Sequence, residues 1–102
     1  MITKVVHIGE LAYEDIRDII KYIISVSRLS HAERYVDEIV ADLETLSYMA
    51  TILPAPIFDY PKRFHPNAKM MKIRNKPMCA IFHIDGDYVI VDRIVHSSMI
   101  IY

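Results

Sequence analysis

The sequence of 102 residues predicts an α+β domain. A helical hairpin packs on a small, mostly antiparallel sheet, in the order β-α-α-β-β-β. Three observations carry this expectation. Residues 10–26 and 30–49 each place apolar side chains three and four apart, the spacing of a helix with one buried stripe. Residues 78–84 and 88–95 are apolar runs flanking Asp85-Gly86, a strong short-range hairpin signal. Between the halves, residues 50–67 contain Pro54, Pro56, Pro61 and Pro66, so they form neither regular helix nor central strand.

Residues 2–8, I-T-K-V-V-H-I, are a short β-branched run and read as the first strand, ended by Gly9. His7 is expected there as a strand residue on the open face. The first helix follows over 10–26, with a stripe of Ala12, Ile16, Ile19, Ile20, Ile23 and Ile24. Glu10, Glu14 and Asp15 crowd its first turns and complement the helix dipole. Its isoleucines are weak helix formers, so packing on the sheet must hold it. Ser30-His31-Ala32-Glu33 reads as a capping box opening the second helix, which runs to about Met49. Its stripe is Ala32, Tyr35, Val36, Ile39, Val40, Leu43 and Leu46, with Arg34 and Glu38 as an exposed pair. Ile57, Phe58, Tyr60 and Phe64 suggest that the proline-rich connector lies across the core.

A third strand is expected over 68–74. A two-residue turn centred on Asp85-Gly86 places His83 opposite Tyr88, Phe82 opposite Val89 and Ala80 opposite Val91. Strict alternation then puts Met78, Ala80, Phe82, Val89, Val91, Arg93 and Val95 on the core face. Cys79, Ile81, His83, Tyr88, Ile90, Asp92, Ile94 and His96 fall on a mixed second face. Arg93 is expected under the helices, paired with Asp15 or Asp18.

A single domain over residues 1–102 is expected from this length, burying roughly two-thirds of its unfolded surface. Composition is 53% hydrophobic, yet no uninterrupted apolar run approaches the ~20 residues of a membrane helix. The beginning of the chain lacks the pattern of a signal peptide, and the lone Cys79 gives neither a disulfide nor a metal cluster. A cytoplasmic protein without cofactor or metal is the expectation. The net charge of −1 hides an asymmetry. Residues 1–59 hold five Lys/Arg against ten Asp/Glu, and residues 60–102 hold seven against three. Six Lys/Arg and His65 lie between Pro61 and Lys76 with no acid among them, which points to an anionic partner.

The chain resembles the RelE/ParE superfamily of type II toxin–antitoxin toxins. Ala12, Asp15, Ile16, Ile19, Tyr22 and Ile23 match the pattern of its first helix, and Ala32, Tyr35, Ile39, Leu43 and Leu46 that of its second. Phe82, Ile84-Asp85 and Val89-x-Val91-x-Arg93-Ile94-x-His96 match its closing strands. The resemblance implies a toxin, of the plasmid-stabilisation type, neutralised by a small acidic antitoxin. It implies one of two targets: DNA gyrase for ParE-like members, or mRNA in the ribosomal A site for RelE-like members.

Metal-free RNA cleavage requires a base, cations for the phosphorane charge and an acid for the leaving oxygen. The residues matching that role are Lys72 and Arg74 on the strand before the hairpin, His96, and Tyr102. The sequence departs from the nuclease pattern at Met78-Cys79 and Ser97-Ser98, where arginines are usual. A growth-arresting toxin that binds its target is therefore the main expectation. A ribosome-dependent endoribonuclease and an inactive binding module are the alternatives. Antitoxin or target contacts are expected at Lys69, Lys72, Arg74, Met99, Ile101 and Tyr102.

Overall fold

The structure, a computed structural model, describes residues 3–100. Strand β1 (Val5–Ile8) leads into helix α1 (Glu10–Val26), helix α2 (Leu29–Glu44) and the single turn α3 (Leu46–Met49). After the connector come β2 (Lys69–Lys72), β3 (Met78–Asp85) and β4 (Tyr88–His96). The sheet order is β1-β4-β3-β2, with β1 parallel to β4 and the other pairs antiparallel. The fold class and element order are those the sequence predicts.

The helical hairpin buries its stripes against one sheet face. Ala12, Ile16, Ile39, Leu43 and Leu46 meet Ala80, Phe82, Val89, Val91 and Ile94 in one continuous core. Two local expectations fail there. The second helix begins at Leu29 with Arg28 as its N-cap and no side-chain cap. Ser30 already lies in the first turn, so its side chain cannot close a capping box. Ile24 is 44% exposed, because α1 runs beyond the sheet it packs on. Gly9 makes the sharp exit from β1 possible: a Cβ there would sit 2.9 Å from the Val91 carbonyl oxygen.

The hairpin register is two residues off in sum. Asp85 pairs with Tyr88, Ile84 with Val89 and His83 with Ile90, so Gly86 and Asp87 form the turn. Only Gly86 of the two has positive φ (59°), which fits a type II′ turn with glycine at its first central position. The register then slips: Phe82 pairs with Val91 but Ile81 with Arg93, leaving Asp92 as the extra residue of a bulge. Beyond the bulge the faces exchange. Ile94 joins the helix-side core, whereas Val95 joins the other face.

That second face is not simply open. The connector crosses it, and Tyr60 packs with Ala68, Cys79, Ile81, Val95 and Ile100, bordered by Phe58, Phe64 and Met70. Ile57 turns away and is 88% exposed. His65 from the connector stacks on His83, with ring centroids 3.8 Å apart, and His83 Nδ1 lies 2.7 Å from Asp92 Oδ2.

Candidate functional site

Strand β1 accompanies β4 only as far as Val91, because the chain turns at Gly9 into α1. The last third of β4, still paired with β3, therefore has no strand on its other side. Asp15, one turn into α1, fills part of this place. Its carboxylate accepts from Arg93 Nε (2.8 Å), from Arg93 Nη2 (2.9 Å) and from the Ile94 backbone N–H (2.8 Å). The bulge aims that N–H outward, and Asp15 satisfies it. Arg93 also lies over the Phe64 ring, 5.4 Å from its centroid. The hydrogen bond to Asp15 holds the guanidinium pKa above its usual value. Arg93 is thus bound into the framework, as the sequence suggests.

Past Asp15 the gap widens into a groove of about 990 Å³ between the helical hairpin and the ends of β3 and β4. Ile19, Tyr22 and Ile23 form one wall, Tyr35 and Arg34 another, and Pro77 and His96 the sheet side. Lys76 lies at its floor, buried along its stem. Its ammonium donates to Glu38 Oε2 at 2.9 Å and sits 4.4 Å from the Tyr35 ring centroid. That hydrogen bond, and then the ammonium charge, hold the Glu38 carboxyl below the usual carboxylate range. Glu38 therefore pairs with Lys76 rather than with Arg34.

The residues expected for nuclease chemistry part company. Lys72 is exposed on β2, an edge strand of the sheet. Arg74 is exposed in a turn whose Asn75 has φ of 60°, and its backbone N–H donates to Asp42 Oδ2 at 2.9 Å. Both line a shallow depression with Asp42, Thr45 and Met71. His96 lines the groove instead, carried to the helix side by the bulge, and its Nδ1 lies 2.8 Å from Ser98 Oγ. Lys69 donates its ammonium to the Ala50 carbonyl at 3.0 Å. Met99 is 49% exposed beside Tyr60, Arg63 and Ser98. Ile101 and Tyr102 lie outside the described residues.

Sequence reasoning missed the groove itself. Tyr22 and Tyr35 read as stripe and motif residues, and Lys76 as one of six cations in a basic run. Nothing local to Lys76 signals that it folds onto α2. Among the described residues no group of three or more His, Cys, Asp or Glu is placed to hold a metal ion. No described helix is long and apolar enough to cross a membrane.

A family model described as the ParE toxin of type II toxin–antitoxin system, parDE, matches residues 6–101. No curated protein sequence matches the chain. Among the solved structures, one titled "Chromosomal ParDE TA system from P. aeruginosa" superposes with a TM-score of 0.79 at 17% identity. The match covers 94% of this chain and 98% of that one, and at that identity it concerns the fold.

Proposed function

Since the chain belongs to the ParE toxin family of type II toxin–antitoxin systems, we propose that it arrests growth by binding a protein target rather than by cutting RNA. The carrying observation is the separation of the candidate catalytic groups. Lys72 and Arg74 lie with Asp42 and Thr45, whereas His96 lies in the groove beyond Lys76 and Pro77. A phosphoryl-transfer site needs its base and its cations around one phosphate. Two of the cations near His96 are already engaged, Lys76 by Glu38 and Arg93 by Asp15.

The family membership supports DNA gyrase as the first target to test, and a cytoplasmic site of action follows from that target. The partner in this reading is an acidic antitoxin. Exposed Lys72, Arg74 and Met99 suit contact with the target or the antitoxin. The ammonium of Lys69, bonded to the Ala50 carbonyl, suits it less.

Two assays on the purified protein test this. Inhibition of gyrase-catalysed supercoiling, with no cleavage of a reporter mRNA by primer extension on purified ribosomes, is the expected result. Ribosome-dependent cleavage that disappears in His96→Ala or Arg74→Ala would instead establish the endoribonuclease. Growth arrest on induction with neither activity would direct the search to another protein target. Absence of growth arrest would leave a binding module.

A further inference from the structure

The helical hairpin has a second cleft, away from the groove. Ile20 of α1 meets Leu29, Ala32 and Val36 of α2 across a shallow depression of about 310 Å³, lined by these two helices alone. Ile24, one turn beyond Ile20, and Leu29 are both exposed large apolar side chains. None of these residues lines the groove that holds Lys76 and His96. The two lips of the cleft carry opposite charge. Arg17, Ile20, Lys21 and Ile24 follow one side of α1 at helical spacing, and Leu29, Glu33, Val36 and Asp37 follow one side of α2. Arg17, Lys21, Glu33 and Asp37 take part in no ion pair among the described residues. Lys21 and Glu33 stand at about the same distance from the loop at Ser27-Arg28, and so, one turn further, do Arg17 and Asp37. The cleft keeps these opposite charges apart.

We propose that this face docks on the same face of a second copy of the chain, the two hairpins stacking about a two-fold axis that runs along them. Such an axis keeps every residue at its own level and lays α1 of each copy antiparallel on α2 of the other. Lys21 then meets the partner's Glu33, and Arg17 meets the partner's Asp37, while Ile20 and Ile24 cover the partner's Leu29 and Val36. The contact is isologous, so each pairing occurs twice. A partner of a single charge sign would match one lip and leave the other unmatched, whereas a copy of this chain matches both. The pairing also gives α1 a reason to run past the sheet, since that overhang carries Ile24 to the cleft. It uses none of the groove and does not depend on the target proposed above.

Sedimentation equilibrium of the full chain tests this, with charge-swapped variants. The wild type is expected to dimerise, more weakly as salt rises and screens the lips. Arg17→Glu with Lys21→Glu makes both lips acidic, and Glu33→Lys with Asp37→Lys makes both basic. Each double variant alone should associate at least tenfold more weakly than wild type. Mixed in equal amounts they should associate again as a heterodimer, because each acidic α1 then faces a basic α2 and the reverse. All four positions are surface ones, and melting temperatures near that of the wild type check that the variants fold. Restored association in the mixture is an outcome that a merely structural role of these charges does not produce. A wild type that stays monomeric from micromolar to millimolar concentration overturns the proposal. So does a dimer indifferent to both double variants, or a mixture that associates no better than its components. Swaps that leave the oligomeric state alone but weaken binding of the antitoxin encoded beside this chain would give the face to that partner, and overturn it likewise.

Discussion

The two faces of the sheet are built by different means. The helix face carries one continuous core, covered by two long helices whose stripes match it residue for residue. The connector face carries a smaller cluster around Tyr60, then gives way to the His65–His83 stack and to exposed Val5 and Tyr88. Regular periodicity can bury a whole face, whereas an irregular proline-rich segment covers only what its few aromatics reach. The helix face should therefore dominate stability, and the connector face should tolerate more change.

The sharpest way to break that contrast is on the helix side. Ile39 is fully buried among α1, α2 and the sheet. Ile39→Asp places an unpaired carboxylate there, at a cost on the order of 4 kcal/mol or more, enough to unfold a domain of this size. No cooperative thermal transition is expected by circular dichroism. A melt like that of the wild type would show that the helix face is not the dominant core.

Next in size is Asp15→Ala. It strips three hydrogen bonds from the point where the faces exchange, leaving the bulge N–H of Ile94 and the Arg93 guanidinium without partners. Arg93 is part-exposed, so the loss is discounted to roughly 2–3 kcal/mol. That corresponds to a fall in melting temperature of about 10–20 °C. Asp15→Asn should recover part of it, because its side-chain oxygen can still accept from Ile94. If Asn and Ala melted alike, the Ile94 hydrogen bond would have no share in holding the bulge.

Tyr60→Ala probes the connector face. Tyr60 is buried, packs edge-on against Phe64 and carries Arg63 over its ring. Removing it should cost about 2 kcal/mol, below the usual range for a buried large aromatic, because the loop around it can collapse. Urea denaturation measures this. A loss matching that of Phe82→Ala on the helix side would erase the difference between the faces.

The same contrast explains what could be read from the sequence. Helix α1 and the element order were legible because one apolar stripe, repeated over several turns, has few alternative readings. The hairpin was legible from Gly86, but its turn lay one residue further on, since Gly86 and Asp87 satisfy a type II′ turn as well as Asp85 and Gly86 satisfy a type I′. The bulge was not legible. Residues 88–95 carry apolar side chains on both faces, because the connector covers part of the second, so alternation carries no parity signal. The group that stabilises the slip, Asp15, lies 79 residues from Ile94. Missing the bulge put His96 on the wrong face, and with it the relation between His96 and the groove. That Arg93 pairs with an acid early in α1 was legible, with Asp15 and Asp18 both open; its place on the connector side, over Phe64, was not, because it follows from the bulge.

The smallest effect concerns the Lys76–Glu38 pair, where the two ends are unlike. The Lys76 side chain is 5% exposed and that of Glu38 55%. Lys76→Met keeps the stem over Tyr35 and frees a carboxylate that water already reaches, so it should cost less than about 1 kcal/mol. Glu38→Gln leaves a buried ammonium without its counter-charge and should lower the melting temperature further than Lys76→Met does. The pH dependence follows from the depressed Glu38 pKa, ordinarily 4.5. A carboxylate held low by folding stabilises the protein above its unfolded value, and that contribution is lost as pH falls through the folded value. The advantage of wild type over Lys76→Met should therefore persist at neutral pH and shrink below pH 4.5. Melting curves for both proteins at neutral pH and at about pH 3 measure it. A gap that stays constant or widens on acidification would mean that packing of the Lys76 stem, rather than its charge, ties this loop to α2.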